Sequence, residues 1–294
     1  MPLRRFVPKP RRFSAPAPAK VNLVLEVTGT RADGFHDIDT VLQTLELADR
    51  VDLVLDSEPG VSVSGPFAAG TPADETNLAW RAAAGLARAC GESTASLHIH
   101  LEKQIPPAGG LGGGASDAAT MLRLLQRAWP AATDAMLLDV ANRIGSDEAF
   151  FLVGGTARAR GRGWDVTPLP PLGRHGVVLF VPRGTVERKT ARMFAALDRH
   201  PFDSGAVTAA FARREPGNVT SADVFNAFER VAFDLFGELA TLWEQLEQRI
   251  GEPVRLAGAG PTLFWIGPTG RAGTVAAAAT GLACTVIQTL TAGR

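Results

Sequence analysis

The chain has 294 residues, of which 46% are hydrophobic, and its 30 Lys and Arg balance 30 Asp and Glu to a formal net charge of zero. This composition predicts a soluble globular protein, and the charge balance argues against a nucleic-acid binder held by bulk charge. The length exceeds the size at which one hydrophobic core usually stays single, so we expect two domains. No apolar run approaches the ~20 residues that span a bilayer, so no membrane partner is expected.

Residues 1–13 are basic, contain several prolines and lack the apolar stretch of a secretory signal, so we expect a flexible tail. Cys90 and Cys284 are far apart in the sequence. They predict neither a disulfide framework nor a zinc cluster, and they fit a reducing cytoplasm. Lysine is rare in this chain, which makes each one a sign that a compact ammonium is preferred to a guanidinium. The four lysines are Lys9, Lys20, Lys103 and Lys189.

Residues 19–28 alternate between polar and apolar side chains, which is the period of a strand with one buried face. Lys20 and Asn22 therefore share one side, which is either a solvated face or the mouth of a pocket. An Asp-Gly turn follows and leaves Phe35 and His36 on a loop. This pair either packs under the loop or stacks on and hydrogen-bonds a planar base.

A helix is predicted at 76–89 and a strictly alternating strand at 95–102. His98 and His100 lie on the polar side of this strand, and Lys103 follows it. Two such histidines could ligate a metal, but no third ligand is apparent nearby in the sequence. We therefore assign them to a polar strand face.

The glycine-rich stretch at residues 106–119 has the sequence P-P-A-G-G-L-G-G-G-A-S-D-A-A. Its five glycines allow positive φ angles and a close approach of the backbone to a ligand. Ser116 and Asp117 lie where a helix is expected to begin, with the helix itself over 118–127. Such a loop either cradles a phosphate with its N–H groups or is a flexible, capped connection. It matches neither the P-loop nor the Rossmann fingerprint.

A Gly-Ser-Asp sequence ends at Asp147, after a helix predicted at 134–143. Asp147 is either a helix N-cap or a carboxylate directed into a site, and Glu148 is expected to point elsewhere. Three arginines at 154–163 are either solvated or supply positive potential near a phosphate.

The prolines at 168–171 predict a linker between two halves of the chain. In the second half, helices are predicted near 204–213 and across 222–248. The chain then closes with a β-loop-β-α-β pattern, which indicates a small α+β sandwich.

Five segments agree in order with one family of proteins. They are A-P-A-K-V-N-L at 17–23, R-A-D-G-F-H at 31–36, the glycine loop, G-S-D at 145–147 and G-A-G at 258–260. Together they resemble the GHMP small-molecule kinases over nearly the whole chain from about Phe13. The resemblance implies an α+β fold of two domains with the active site in the cleft between them. The N-terminal domain, over 14–167, would be like domain 2 of ribosomal protein S5, and the C-terminal domain, over 168–294, would be ferredoxin-like.

The resemblance also implies transfer of the γ-phosphoryl group of ATP, with Mg²⁺, to a hydroxyl of a small cytidyl diphosphate substrate in isoprenoid precursor synthesis. By position, Lys20 and Asp147 correspond to the catalytic pair. The residues expected at the ATP are Asn77, Lys103, Pro106, Pro107, Ala108, Gly109, Gly110, Leu111, Gly112, Gly113, Gly114, Ala115 and Ser116. Those expected at the cytidyl substrate are Asn22, Phe35, His36 and Thr190. The metal ligands and the choice between monomer and homodimer stay open.

The chain departs from the family pattern at several positions. Ala115 replaces a serine, with Ser116 as the only local substitute, and Phe35 replaces a tyrosine. Glu148-Ala149 replaces Val-Pro, and Ala259 lacks a hydroxyl. Two alternatives follow: a kinase for another small alcohol, such as homoserine or mevalonate, and a catalytically silent binding protein of the same fold. The Phe35-His36 pair argues against the first alternative, and the retained catalytic pair argues against the second.

Overall fold

The computed structural model describes residues 10–183, 189–215 and 217–293. The strands are β1 (Arg11–Thr30), β2 (His36–Leu55), β3 (Gly60–Ser64), β4 (Leu97–Glu102), β5 (Thr156–Gly161), β6 (Asp165–Pro168), β7 (Gly176–Pro182), β8 (Phe225–Asn226), β9 (Arg255–Leu256), β10 (Leu263–Gly267) and β11 (Cys284–Leu290). The helices are α1 (Leu78–Cys90), α2 (Gly113–Ala128), α3 (Asp134–Ile144), α4 (Glu148–Val153), α5 (Lys189–Leu197), α6 (Ala206–Ala212), α7 (Ala232–Leu235), α8 (Leu239–Ile250) and α9 (Ala272–Ala278).

The first sheet is built around a long antiparallel pair, β1 and β2, and has the order β3-β4-β2-β1-β8. In addition, β5 pairs with the N-terminal half of β2, and β6 pairs with β5. β1 begins at Arg11, because residues 11–13 pair with Leu53, Val54 and Leu55 and Phe13 packs on the core. The predicted tail is therefore too long at its C-terminal end. Its residues 1–9 lie outside the described part of the chain.

Helices α1, α2 and α3 cover one face of this sheet, where they pack on Leu53, Ile99 and their neighbours. Helix α1 forms because alanines and Leu86 recur at helical spacing on its buried side, Asn77 caps its N-terminus and Gly91 ends it in the left-handed conformation. The predictions of α1, α3 and β4 are thus confirmed.

The second sheet has the antiparallel order β11-β7-β10-β9. One face packs on α8 and α9 through Phe180 and Trp265, and the other packs on β1 and β2 through Leu179 and Phe264. The closing β-loop-β-α-β pattern is confirmed by β9, β10, α9 and β11. The two halves thus share a hydrophobic layer.

The helix predicted across 222–248 is wrong. This segment holds two short 3-10 turns, the strand β8, α7 and α8. β8 pairs in parallel with β1 at Val24 and Leu25. The helical pattern fails here because Asn226 is bound to a distant segment. Its side-chain amide donates to the carbonyls of Leu256 and Gly258, both at 2.8 Å. The C-terminal half therefore adds a strand to the N-terminal sheet, and the division of the chain near 168 stays a prediction.

Three simpler expectations can be compared directly with the structure. Cys90 and Cys284 are free thiols. His98 and His100 form a polar ladder with Ser62, at 2.8 Å and 2.9 Å from its hydroxyl, as expected for a polar strand face. No helix within the described ranges is long and apolar enough to cross a membrane.

Candidate active site

Lys20 and Asp147, which are distant in the sequence, lie together in the structure. Lys20 Nζ is 3.5 Å from Asp147 Oδ2, and the Asp147 side chain is 36% exposed. Lys20 is only 4% exposed and Asn22 only 3%. Lys20 Nζ also donates to Asn22 Oδ1 at 2.8 Å. These two side chains are therefore buried next to a carboxylate, and the alternative of a solvated strand face is wrong.

The local backbone of β1 explains how polar side chains reach this place. Its pairing with β2 shifts register between Pro18 and Lys20 and again between Asn22 and Val24. Bulges of this kind re-aim side chains and are frequent beside active sites. The short segment that carries Lys20 and Asn22 thus has an irregularity of the strand pairing on each side.

Asp147 occupies the N-cap position of α4 but makes no side-chain capping bond. A carboxylate at this position normally accepts a bond from the first turn of its helix. Asp147 instead faces Lys20, so the structure favours the reading of Asp147 as a carboxylate directed into a site.

The glycine loop reaches its helix earlier than the sequence suggested. Helix α2 begins at Gly113, and Gly112 is its N-cap with φ 76°. The expectation that Ser116 and Asp117 mark the helix start is wrong, because both lie inside the helix and are buried. The left-handed Gly112 lets the chain turn into the helix, whose first N–H groups are left without intrahelical partners.

The loop lies directly against the lysine of β1. The main-chain N–H of Lys20 donates to the carbonyl of Leu111 at 2.9 Å. A Cβ on Gly112 would come within 3.1 Å of Lys20 Cγ and 2.8 Å of Phe151 Cζ on α4. The loop, the lysine strand and the segment that carries Asp147 therefore converge.

A second loop, formed by residues 257–261, closes the site from the C-terminal half. Gly110 has φ +87°, and a Cβ there would overlap the carbonyl oxygen of Ala257. A Cβ on Gly258 would lie 3.1 Å from Lys20 Nζ and 3.0 Å from the carbonyl oxygen of Gly110. The G-A-G motif thus has a physical reason: a side chain at Gly258 would press on Gly110 and Lys20, and one at Gly260 would clash with Leu256. We call residues 106–114 the phosphate loop and residues 257–261 the closing loop.

Lys103 supports the phosphate loop from beneath. Its ammonium is bound to the carboxylates of Asp49 and Asp117, and the residue is 3% exposed. Burial alone would lower the pKa of Lys103, but the two carboxylates outweigh it and raise that pKa. Burial raises the pKa of Asp117 to about 7, with a further contribution from Asp49 and opposition from Lys103. The ammonium of Lys103 is therefore engaged inside the protein.

Asn77 is also committed to local structure. Its side chain accepts from Ala79 N at 2.9 Å and donates to the Pro72 carbonyl at 2.7 Å. The next residue, Leu78, would lie 3.2 Å from a Cβ on Gly114. The start of α1 is therefore a neighbour of the phosphate loop, as the assignment of Asn77 to the nucleotide site requires.

Phe35 and His36 lie at a contact between the two halves. Phe35 is 46% exposed, and the guanidinium of Arg162 lies 3.7 Å from the centre of its ring. His36 stacks on Phe194 of α5 with centroids 4.4 Å apart, and its Nε2 is 2.6 Å from Asp198 Oδ1. Phe35 is thus a partly exposed ring covered by Arg162, and the residue that follows it is a fixed imidazole. Thr190 is exposed in the first turn of the same helix α5.

Lys189 was not predicted as a site residue. It is buried, and its Nζ donates to the carbonyl of Ala108 at 2.6 Å and to the carbonyl of Gly260. Burial lowers the pKa of Lys189 to about 8, and the charge of Lys20 adds to this effect. The rarity of lysine in the sequence is the signal that could have identified it. Asp49, Phe194 and Asp198 were missed as well, and they gave no comparable signal because their partners come from distant segments.

Glu148 does not point into solvent. It is 2% exposed and lies against Gly145, and its Oε2 atom has no hydrogen-bond partner among the described residues. Burial raises the pKa of Glu148 to about 7, and the charge of Asp147 adds to the shift. The carboxyl is thus a buried acid directly beside Asp147.

The fold and the site together define a class of protein. Residues 77–155 match the family described as GHMP kinases N terminal domain. The fold is similar to that of L. major mevalonate kinase in complex with R-mevalonate, with a TM-score of 0.71 at 12% identity over 96% of this chain and 97% of that one. The expected α+β fold of the GHMP kinases is thereby confirmed.

More similar proteins narrow the class. The chain is 38% identical to the 4-diphosphocytidyl-2-C-methyl-D-erythritol kinase of Dehalococcoides mccartyi. The 252 aligned residues cover 84% of this chain and 87% of that protein. A crystal structure of 4-(cytidine 5'-diphospho)-2C-methyl-D-erythritol kinase matches with a TM-score of 0.75 and 34% identity, over 96% of this chain and 100% of that one. The chain therefore belongs to the 4-diphosphocytidyl-2-C-methyl-D-erythritol kinase family.

The contact between the two loops can be tested with Gly110→Ala. A methyl group at this left-handed position should cost roughly 1–3 kcal/mol of unfolding free energy from backbone strain alone. It should also lower the kinase turnover by about 10²-fold, because displacement of positioning groups by ~1 Å has that effect. Urea unfolding and steady-state kinetics measure the two effects. The control is Gly273→Ala in α9, where a Cβ would meet nothing within 4 Å. Native behaviour of Gly110→Ala would contradict the close approach.

The buried acid predicts a pH effect on stability. The pKa of Glu148 is about 7 in the folded protein and 4.5 ordinarily, so the folded state holds its proton more tightly. Its stabilising contribution is complete below pH 4.5 and is lost as the pH rises through 7. Relative to the native protein, Glu148→Gln should therefore gain up to about 3 kcal/mol of unfolding free energy between pH 4.5 and 7.5. Urea unfolding across this range measures the gain, with Glu244→Gln at an exposed position as control. If the difference in unfolding free energy between Glu148→Gln and the native protein did not change with pH, a neutral Glu148 carboxyl would be excluded.

Proposed function

We propose that the protein uses ATP to phosphorylate the 2-hydroxyl of 4-diphosphocytidyl-2-C-methyl-D-erythritol, a step of isoprenoid precursor synthesis that does not use mevalonate. The observation that carries the proposal is the convergence of Lys20, Asp147 and the phosphate loop, with 3.5 Å between ammonium and carboxylate. It occurs in a chain whose relatives carry the name of this kinase. Phosphoryl transfer requires positioning and charge stabilisation more than covalent chemistry.

The phosphate loop is proposed to hold the triphosphate through main-chain N–H groups. Helix α2 supports this, because its sixteen residues begin at the glycines and direct the positive end of the helix dipole at the loop. The hydroxyl that Ala115 lacks is not supplied by Ser116, whose Oγ atom is buried. The backbone therefore carries the larger share of the phosphate contacts.

Mg²⁺ in kinases is typically bound by one or two carboxylates together with the phosphates of the substrate. The nucleotide phosphates would therefore supply most of the ligands of the ion. Within the described residues, no group of three or more His, Cys, Asp or Glu side chains could hold a metal ion. When bound with the nucleotide, Mg²⁺ would neutralise charge on the phosphates.

Asp147 is proposed to accept the proton of the attacking hydroxyl. Lys20 would orient that hydroxyl and stabilise the carboxylate, and Asn22 fixes the ammonium of Lys20 by accepting its hydrogen bond at 2.8 Å. A positioned base is worth about 10²–10⁴-fold in rate.

The cytosine of the substrate is proposed to stack on Phe35 and to be read by His36. Asp198 accepts from Nε2 of His36 in the neutral tautomer, which leaves Nδ1 as an acceptor for the amino group of cytosine. A site built to hydrogen-bond a substrate group discriminates strongly against analogues that lack it. Homoserine and mevalonate carry no base, so this pair favours the cytidyl substrate over both.

The assignment is tested by ATP consumption with the cytidyl substrate, homoserine and mevalonate in parallel. Turnover is expected with the cytidyl substrate alone. Turnover with homoserine or mevalonate instead would identify a kinase for another alcohol. ATP binding without turnover of any of the three would identify a silent binding protein.

The role of Asp147 is tested by Asp147→Asn. The amide keeps the shape of the side chain but accepts a proton poorly, so turnover should fall by at least ~10²-fold. The dissociation constant of ATP, measured by calorimetry, should stay nearly native. Asp139→Asn on α3 is the control, because its exposed carboxylate pairs only with Arg143 among the described residues. Turnover of Asp147→Asn near the native rate would remove Asp147 from the mechanism.

A further inference from the structure

Lys189 connects the two loops that form the site. Its ammonium donates to the carbonyl of Ala108 in the phosphate loop, at 2.6 Å, and to the carbonyl of Gly260 in the closing loop. These loops come from the two halves of the chain and already touch where Gly110 meets Ala257. The ammonium therefore sits at the junction of the halves, near enough to Lys20 for the charge of Lys20 to act on it.

The charge of Lys189 is not balanced in the same way as that of the other buried lysines. Lys103 is bound to two carboxylates, and Lys20 has Asp147 at 3.5 Å. The partners of Lys189 in the described ranges are carbonyl groups, and the charged group that acts on it is Lys20, which lowers its pKa. A buried cation of this kind is costly unless an anion accompanies it.

An ammonium has three N–H donors. Two of them are used by the carbonyls of Ala108 and Gly260, which fix the position of the nitrogen and leave one donor for a ligand. Since Lys20 repels Lys189, an anion placed between the two ammonium groups would be stabilised by both. The free N–H groups of the phosphate loop and of the start of α2 also favour an anion in this part of the site.

We propose that Lys189 is a phosphate-binding residue, which donates to the triphosphate of the nucleotide and holds the phosphate loop on the closing loop while the nucleotide is bound. This inference deepens the proposed function, since it assumes ATP as the phosphoryl donor. It extends the phosphate contacts to a side chain of the C-terminal half. Binding of ATP would then strengthen the junction of the two halves.

The test compares the affinities of ATP and adenosine, measured by calorimetry without an acceptor substrate, in the native protein, Lys189→Met and Lys189→Arg. Adenosine shares the base and ribose but lacks the phosphates. Lys189→Met should weaken ATP about 10- to 100-fold, the range expected for one hydrogen bond to a charged group, and leave adenosine nearly unchanged. Lys189→Arg should recover part of the loss, because it restores the charge with a different shape.

Arg192→Met is the matched control, because it removes an exposed positive charge from the same helix α5. It should leave both affinities near native. Equal weakening of ATP and adenosine by Lys189→Met would make Lys189 a structural connection only and would overturn the proposal. So would unchanged ATP binding.

The ATP affinity of the native protein, measured across a pH series, gives a second test. The pKa of Lys189 is about 8, so the free protein loses this charge as the pH rises above 8. ATP affinity of the native protein should then fall by up to about tenfold per pH unit. Lys20, the charged group that acts on the pKa of Lys189, is the same in all variants. The fall should be absent in Lys189→Arg, because arginine keeps its charge in this range. A flat native profile from pH 7.5 to 9.5 would overturn the proposal.

The affinity measurements separate this inference from the proposed function. They use ATP alone, so an incorrect acceptor substrate does not affect them. Native ATP affinity in Lys189→Met, combined with turnover of the cytidyl substrate by the native protein, would remove the inference and leave the proposed function standing. Selective loss of ATP affinity in Lys189→Met, combined with no turnover of the cytidyl substrate by the native protein, would support the inference and remove the proposed function.

Discussion

The close approach of two main-chain segments determines where the site can form. At Gly110 the phosphate loop comes so near to the carbonyl of Ala257 that a Cβ would overlap it, and Gly258 faces both Gly110 and Lys20 Nζ. Glycine is required here for space as well as for its positive φ angles. Because one loop comes from each half of the chain, the site lies at their junction, and residues from both halves reach the same small volume.

The charges around the phosphate loop are divided between its two sides. Beneath it, Lys103 is enclosed by Asp49 and Asp117, so this group is balanced within the protein. On the other side, Lys20 faces the carboxylate of Asp147, and the ammonium of Lys189 is held by two carbonyl groups. A positive excess that is fixed before the ligand binds requires no reorganisation when phosphate charge arrives. The buried group beneath the loop makes this possible by holding the loop in place.

Much of the fold followed from the sequence, because periodic patterns report burial directly. The alternation of β4 and the apolar spacing of α1 gave the correct elements. The prediction failed where a distant partner decided the outcome. Asn226 hydrogen-bonds Leu256 and Gly258, and this breaks the expected helix. Ser116 resembled a helix cap, because the sequence does not show that Gly112 adopts a left-handed conformation and caps α2. Lys189, likewise, is defined by two carbonyls far away in the chain.

Two of the departures from the family pattern lie around the same contact. Ala115 and Ala259 each lack a hydroxyl, and they lie in or beside the phosphate loop and the closing loop. Lys189 donates hydrogen bonds to one residue of each loop, Ala108 and Gly260. A single ammonium can therefore supply one polar contact and a positive charge at a place where the family pattern has hydroxyl groups. An ammonium is also the stronger donor, since a charged hydrogen bond is about twice as strong as a neutral one. The losses at Ala115 and Ala259 are thus compatible with a site that still binds phosphate.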